Sequence, residues 1–238
     1  MLREVKERVC RANLELASSG LAALTWGNAS EILPNRTAFV IKPSGVPYDR
    51  LRPAHMVVVD LEGRVVEGDL APSTDAETHR FLYRGFPGIG GVAHTHSPAA
   101  TAFAQARREI PCLGTTHADH FAGPVPVTRP LTEDEVREDY EAHTGRVIVE
   151  RFARRDYAAI PAVLVAGHGP FTWGRDAAEA VRNALALEAV ARMALDTLAL
   201  APQASPLEPW LLRKHHERKH GPRAYYGQRK DANTRVRR

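Results

Sequence analysis

The chain contains little cysteine and no long apolar run, and these absences exclude several classes of protein. Cys10 and Cys112 are the only cysteines in 238 residues, so the sequence excludes a disulfide framework and predicts a reducing, cytoplasmic location. No apolar stretch approaches the roughly 18 residues that a membrane span requires. The charged residues 1–8 also differ from a secretory signal. We therefore expect no membrane partner.

Acidic residues are scarce at the C-terminal end, and this scarcity explains the isoelectric point of about 9.3. Residues 213–238 contain ten Lys or Arg and two Asp or Glu, a local charge of +8. Because the whole chain carries +4, residues 1–212 carry −4. The basic end, 229–238, is predicted to be disordered, and the rest of the chain lacks the positive charge of a nucleic-acid-binding domain. We predict no nucleic-acid partner, with contact through this tail as the alternative.

Helical and strand patterns alternate along the chain, and no linker separates them. The spacing of Val5, Val9, Ala12 and Leu16 predicts a first helix that ends near Gly20. Further helices are predicted over 78–86, 98–106, 132–154, 176–200 and 210–220, strands over 37–41, 56–61, 65–66, 92–95 and 162–166, and loops over 25–30 and 41–45. This alternation predicts a single α/β domain over residues 1–228, followed by the tail.

Three histidines stand at the ends of apolar runs. His94 and His96 are two residues apart after a glycine-containing run, and His168 follows the run 162–166. Alternate residues of a strand face the same side, so His94 and His96 are expected to project together. A single histidine near a strand is usually a surface or hydrogen-bonded core residue. Three that converge at strand ends are typical of a catalytic zinc site with one open position.

Asp75 lies 19 residues before His94 and directly after two hydroxyl residues, Ser73 and Thr74. One interpretation is that this trio caps the following helix. The other is functional, because a helix N-terminus with two hydroxyl groups also suits an anion. A carboxylate at that position could complete a metal shell or act as a base.

Two further loops carry groups suited to a phosphate. Asn28, Ser44 and the Gly45 amide offer hydrogen-bond donors, and Lys42 offers a positive charge. Ordinary turns are the alternative for each loop. Asp119, in the polar segment 115–120, is either a base or a solvated turn residue.

Seven segments, taken together and in order, resemble the class II aldolase/epimerase superfamily. Within it, the resemblance is closest to the L-ribulose-5-phosphate 4-epimerases and extends over nearly the whole chain, to about residue 228. The segments are 25–30 (TWGNAS), 41–46 (IKPSGV), 72–79 (PSTDAETH), 94–97 (HTHS), 114–119 (GTTHAD), 168–174 (HGPFTWG) and 219–228 (KHGPRAYYGQ). The tail after Gln228 extends past the end of the family pattern. Asp75 stands where related aldolases carry glutamate, which favours an epimerase.

The resemblance implies a fold and a role for each matching position. The implied fold has three α/β/α layers around a largely antiparallel sheet, assembled as a homotetramer with sites at subunit interfaces. The implied metal ligands are His94, His96 and His168, with Asp75 completing or adjoining the shell. The implied phosphate-binding positions are Gly27, Asn28, Ser44, Gly45, Ser73 and Thr74, with Lys42 nearby. Asp119 and Tyr226 match the acid/base pair, and His215 matches a further active-site position.

The implied activity is the interconversion of L-ribulose 5-phosphate and D-xylulose 5-phosphate. It proceeds by metal-assisted cleavage and re-formation of the C3–C4 bond, with Zn²⁺ as the expected ion and Mn²⁺ or Co²⁺ as alternatives. A class II aldolase that acts on another sugar phosphate is the nearest alternative. A non-catalytic binding module on the same fold is a further one, and the presence of all three histidines and Asp75 counts against it.

Overall fold

The computed structural model describes residues 1–226, and its centre is a seven-stranded sheet. The strand order is β4-β3-β2-β1-β5-β7-β6, and every pair of neighbouring strands is antiparallel. The strands are β1 (Asn28–Ile32), β2 (Ala38–Ile41), β3 (Val57–Asp60), β4 (Val65–Glu67), β5 (Gly91–His94), β6 (Ala162–Leu164) and β7 (Pro170–Gly174). The predicted basic tail lies outside the described residues.

The described residues also form seven α-helices, most of which pack on the two faces of the sheet. They are α1 (Leu2–Ser18), α2 (Ala76–Gly85), α3 (Pro98–Gln105), α4 (Thr115–Ala118), α5 (Glu133–Arg151), α6 (Ala177–Leu200) and α7 (Pro209–His220). None of the described helices is both long enough and apolar enough to cross a membrane.

The core consists of two apolar layers, one on each face of the sheet. Ala38 and Val40 pack with α1 and the first turns of α6, whereas Phe39 and Ile41 pack with α2, α3 and the later part of α6. Alternate residues of β2 therefore enter opposite layers, as the strand repeat requires. Because helices cover both faces, all of β2 and the first three residues of β3 are apolar, and both strands are buried along their whole length. The predicted three-layer α/β/α fold is confirmed.

Three local predictions need correction. Segment 25–30 was predicted as a loop, but Asn28–Ile32 forms the central strand β1. The polar residues of this segment break the apolar pattern that marks a buried strand. Their partners lie in α1: Asn13 hydrogen-bonds to both backbone groups of Ala29, and Arg8 pairs with Glu31. Strand β7 was also missed.

The third correction concerns the helix predicted over 132–154. The predicted capping box is present between Thr132 and Glu135. The helix is interrupted, however, at Asp139, whose φ of −164° and ψ of 89° are not helical. The Asp139 carboxylate accepts a hydrogen bond from the Ala142 amide, so a second helical segment begins there.

Candidate metal centre

Three imidazoles converge at one end of the sheet. His94 is the last residue of β5, His96 follows two residues later, and His168 lies in the turn between β6 and β7. Their ligand atoms all lie within 4.8 Å of one another, and the Nε2 atoms of His94 and His96 are 3.1 Å apart. Two nitrogens bound to one tetrahedral zinc ion lie about 3.3 Å apart. The predicted histidine cluster is therefore present in the fold.

The second nitrogen of two of these rings has a fixed partner. His94 Nδ1 lies 2.9 Å from the carbonyl oxygen of Pro170, and His168 Nδ1 lies 3.0 Å from the hydroxyl of Tyr140. The carbonyl contact holds His94 Nδ1 in the protonated state and leaves its Nε2 free to bind a metal, and the Tyr140 hydroxyl fixes the orientation of the His168 ring. Burial, together with the neighbouring histidines, lowers the pKa of His168 and of His96. Both rings are therefore neutral at pH 7, which is the form that ligates, and the donor set fits one divalent ion.

Asp75 lines the same cavity but stands outside the three-histidine cluster. Its side chain does not cap α2; it accepts a hydrogen bond from Asn28 Nδ2 at 2.6 Å. Burial alone would raise the pKa of Asp75, but His94, His79 and the Asn28 amide outweigh that effect and lower it. A carboxylate anion therefore faces the three imidazoles. Asp75 thus occupies the N-cap position of α2, as the capping interpretation expects, but its side chain bonds to Asn28 instead of to the helix.

The other predicted binding positions surround this cavity, whose volume is about 300 Å³. Asn28 pairs with His94 across β1 and β5, so the strand register itself brings the two side chains together. Backbone bonds from Ser44 to Ala71 and from Ser73 to Lys42 join the two loops that border the cavity. The lining includes Gly27, Asn28, Lys42, Ser44, Gly45, Ser73 and Thr74.

Gly27 is constrained by its backbone and by its neighbours. Its φ is +72°, and a Cβ at this position would lie 2.8 Å from the carbonyl oxygen of His94. Any side chain would therefore displace the strand that carries a metal ligand.

Lys42 is almost fully buried beside this cavity. Its Nζ lies 3.4 Å from the Thr25 carbonyl, 3.3 Å from the Pro43 carbonyl and 5.0 Å from the centre of the Tyr48 ring. Burial lowers the pKa of Lys42, and Asp75 partly opposes the effect. The ammonium group has no paired carboxylate among the residues described, so an anionic ligand in the cavity would gain from it.

Sequence reasoning missed Tyr140 and Glu141, which also line the cavity. The interruption at Asp139 places both at the start of the second segment of α5, where they face the histidines. The pattern of 132–154 reads as one continuous helix, so no local signal marked them. An Asp that could begin a new helical segment was the only available clue.

His79 is a second residue whose role the sequence did not reveal. It is fully buried one helical turn after Asp75, and its Nδ1 lies 2.7 Å from Ser30 Oγ, which in turn lies 2.7 Å from the Tyr83 hydroxyl. Burial lowers the pKa of His79 to about 3. These hydrogen bonds therefore hold the first turns of α2, which follow Asp75, against strand β1.

Three predicted active-site residues lie away from this cavity. Asp119 accepts hydrogen bonds from Arg218 Nε at 2.8 Å and lies 3.1 Å from His215 Nδ1. The Tyr226 ring packs under Arg218, with the guanidinium carbon 5.0 Å from its centre. We call Asp119, His215, Arg218 and Tyr226 the Asp119 cluster. None of its members lines the histidine cavity of the same chain.

The sequence match assigns a family to this fold and cavity. The sequence model of the class II aldolase and adducin N-terminal domain matches residues 7–195. That range covers most of the chain and includes the three histidines and Asp75. The protein therefore belongs to the class II aldolase superfamily.

Solved structures of this superfamily share the fold. An L-fuculose 1-phosphate aldolase superposes with a TM-score of 0.77 at 22% identity, covering 90% of this chain and 95% of its own. YgbL from Klebsiella pneumoniae, described as a putative aldolase/epimerase/decarboxylase, has a TM-score of 0.73 at 25% identity and coverages of 91% and 99%. An L-fuculose-1-phosphate aldolase from Thermus thermophilus has a TM-score of 0.66 at 26% identity, with coverages of 85% and 98%.

Proposed function

We propose that the protein is a cytoplasmic, Zn²⁺-dependent L-ribulose-5-phosphate 4-epimerase. The observation that carries the proposal is the shared cavity, which combines three imidazoles placed to hold one metal ion, the Asp75 carboxylate and polar groups suited to a phosphate. Asp75 favours an epimerase over an aldolase, because the sequence resembles the epimerases at this position and related aldolases carry glutamate there.

The chemistry of the substrate explains why such a cavity suits epimerisation. C4 of L-ribulose 5-phosphate lies β to the ketone, so its hydrogen is not acidic and simple proton abstraction cannot invert it. Cleavage of the C3–C4 bond and re-addition to the other face of the aldehyde can do so. A divalent metal held by the three histidines supplies Lewis acidity to the ketone end of the substrate.

The chain's own residues then hold and reorient the second fragment. Asn28, Ser44 and the Gly45 amide grip the phosphate of the aldehyde, with the N-terminus of α2 and the Lys42 charge beside them. This grip keeps the aldehyde bound while it rotates to present its other face. Without the grip, the aldehyde would escape and the enzyme would act as an aldolase.

The remaining requirement is a proton donor and acceptor on the two faces of the aldehyde. Asp119 and Tyr226 fill these roles in the proposal. Because neither lines the histidine cavity of its own chain, a neighbouring subunit must bring them to it. The proposal therefore includes a homotetramer whose sites lie at subunit interfaces.

A coupled assay with L-ribulose 5-phosphate tests the activity. The metal-loaded protein should form D-xylulose 5-phosphate, lose that activity with a chelator and regain it with added Zn²⁺. Full activity after verified metal removal would refute the metal-dependent scheme.

The second candidate is an aldolase for another sugar phosphate, and the similarity to L-fuculose 1-phosphate aldolases favours it. The same assay distinguishes the two. Release of free glycolaldehyde phosphate without xylulose 5-phosphate, or preferential cleavage of L-fuculose 1-phosphate, would replace the epimerase with an aldolase.

A further inference from the structure

A second concavity lies at the C-terminal end of α5. It has a volume of about 500 Å³ and is formed by residues from 127 to 129 and from 147 to 155. It shares no lining residue with the histidine cavity. Four of its eight lining residues are arginines, and one is a carboxylate; they are Arg129, Arg151, Arg154, Arg155 and Glu150. We call this concavity the arginine groove.

The carboxylate of the groove is already paired. Arg129 lies 2.7 Å from Glu135 and 3.1 Å from Glu150, so these three groups form one closed ion-pair network. Glu150 and Glu135 therefore both pair with Arg129, and no other carboxylate lines the groove beside the remaining three arginines.

Those three arginines have few partners. Arg151 donates its Nε hydrogen to the Val127 carbonyl at 2.8 Å, and the nearest carboxylate, Glu109, is 3.9 Å away. Burial and the neighbouring charge of Arg155 lower the pKa of Arg151. Within residues 1–226, the Arg154 and Arg155 side chains make no hydrogen bond or ion pair. Among the described residues, Arg154 and Arg155 are thus the two cations of the groove that have no ion-pair partner, beside Arg151, whose carboxylate partner is at the limit of ion-pair distance.

Interaction with the C-terminus of α5 does not explain why these arginines lie together. Basic side chains near a helix C-terminus are favourable when they approach its last carbonyl groups. α5 ends at Arg151, whereas Arg154 and Arg155 lie beyond it and face the concavity instead of those carbonyls.

We propose that the arginine groove binds a small anion that carries two or more phosphate charges. Guanidinium groups bind phosphate oxygens through paired, planar hydrogen bonds, and three of them here have donors to spare. The volume lies within the range of small-molecule sites. Val127 and Val147 provide apolar wall for the uncharged part of such a ligand. The histidine cavity, in contrast, grips a single phosphate through hydroxyls and amides.

The test is a calorimetric titration of the metal-loaded, full-length protein with inorganic pyrophosphate at fixed ionic strength. The groove variant is R154A/R155A, which removes two side chains that make no hydrogen bond or ion pair among the described residues. The matched control is R182A/R192A, which removes two exposed arginines from α6. Thermal melts and metal content, measured for all three proteins, confirm that the fold and the metal site are intact.

The proposal predicts that R154A/R155A loses one equivalent of bound pyrophosphate or binds it at least tenfold more weakly. The control variant should bind as the unmodified protein does. Equal binding by all three proteins would assign the pyrophosphate to the histidine cavity and overturn the proposal. It would also be overturned by equal weakening of both variants, which indicates general charge attraction, or by no binding at millimolar pyrophosphate.

Discussion

The histidine cavity and the Asp119 cluster differ in how the fold holds them. The cavity is built from adjacent strand ends, where the register places Asn28 opposite His94 and the β6–β7 turn adds His168. The Asp119 cluster depends on α7, a helix with no buried residue, and on Tyr226, which is 60% exposed. In the proposed function, metal and phosphate binding are therefore properties of one folded chain, whereas proton transfer requires a second chain.

The largest expected effect comes from the cavity side of this comparison. His96 is the most exposed of the three histidines, so His96→Asn should remove a ligand with little damage to the fold. We expect loss of bound metal and a fall in activity of about 10³-fold or more, because Lewis-acid stabilisation contributes several kcal/mol. Metal analysis and the coupled assay measure both, with His55→Asn as the control. Retained metal together with full activity would contradict the assignment.

A substitution in the Asp119 cluster should lower the turnover rate without changing the amount of bound metal. Asp119→Asn is expected to lower the rate by about 10²- to 10⁴-fold, the usual contribution of general acid–base catalysis, and to leave the metal content unchanged. Asp196→Asn, which changes an exposed aspartate on α6, is the matched control. An unchanged rate would remove Asp119 from the mechanism.

Mixing the two inactive proteins tests whether the regions meet between chains. The tetramers are co-assembled from equal amounts of His96→Asn and Asp119→Asn chains. With random pairing, roughly one quarter of the interface sites combine an unmodified His96 from one chain with an unmodified Asp119 from its neighbour. Activity should return to about that fraction. No recovery, despite verified mixed tetramers, would mean that the two regions do not share a site.

The residues of the site that could be predicted are those that a pattern of neighbouring residues in the sequence marks. His94 and His96 were predictable because they stand two residues apart at the end of an apolar run, although His96 lies just beyond β5, and Ser73 and Thr74 because they precede a helix. Tyr140 was not, since its position follows from an interruption of α5 that the apolar pattern does not reveal. The β1 strand was missed because Asn13 and Arg8, both distant in sequence, satisfy its polar groups.

Tyr140 offers a smaller and more selective perturbation of the cavity. Tyr140→Phe removes the hydroxyl that lies 3.0 Å from His168 Nδ1, and loss of such a supporting contact typically weakens metal binding by about 10- to 100-fold. A competition titration with a chromogenic chelator measures the affinity. Tyr157→Phe, at a tyrosine outside the cavity, is the control. Equal affinities of Tyr140→Phe and the unmodified protein would show that Tyr140 does not position His168.

The smallest expected effect concerns the stability that the Asp119 cluster provides within one chain. Although burial alone would raise the pKa of Asp119, hydrogen bonds from Arg218 and His215 outweigh it and lower the pKa below its ordinary value. A carboxylate whose pKa is lower in the folded protein stabilises it above the unfolded pKa of about 3.9. That contribution is lost as the pH falls through the folded pKa.

Asp119→Asn should therefore lower the free energy of unfolding at pH 7 and at pH 5, and the difference from the unmodified protein should shrink below about pH 4. Urea denaturation of metal-free protein at these pH values, with Asp196→Asn alongside, provides the measurement. A difference that is independent of pH would mean that the charge of Asp119 does not stabilise α7 against α4. The cluster would then contribute to the fold through packing and neutral hydrogen bonds alone.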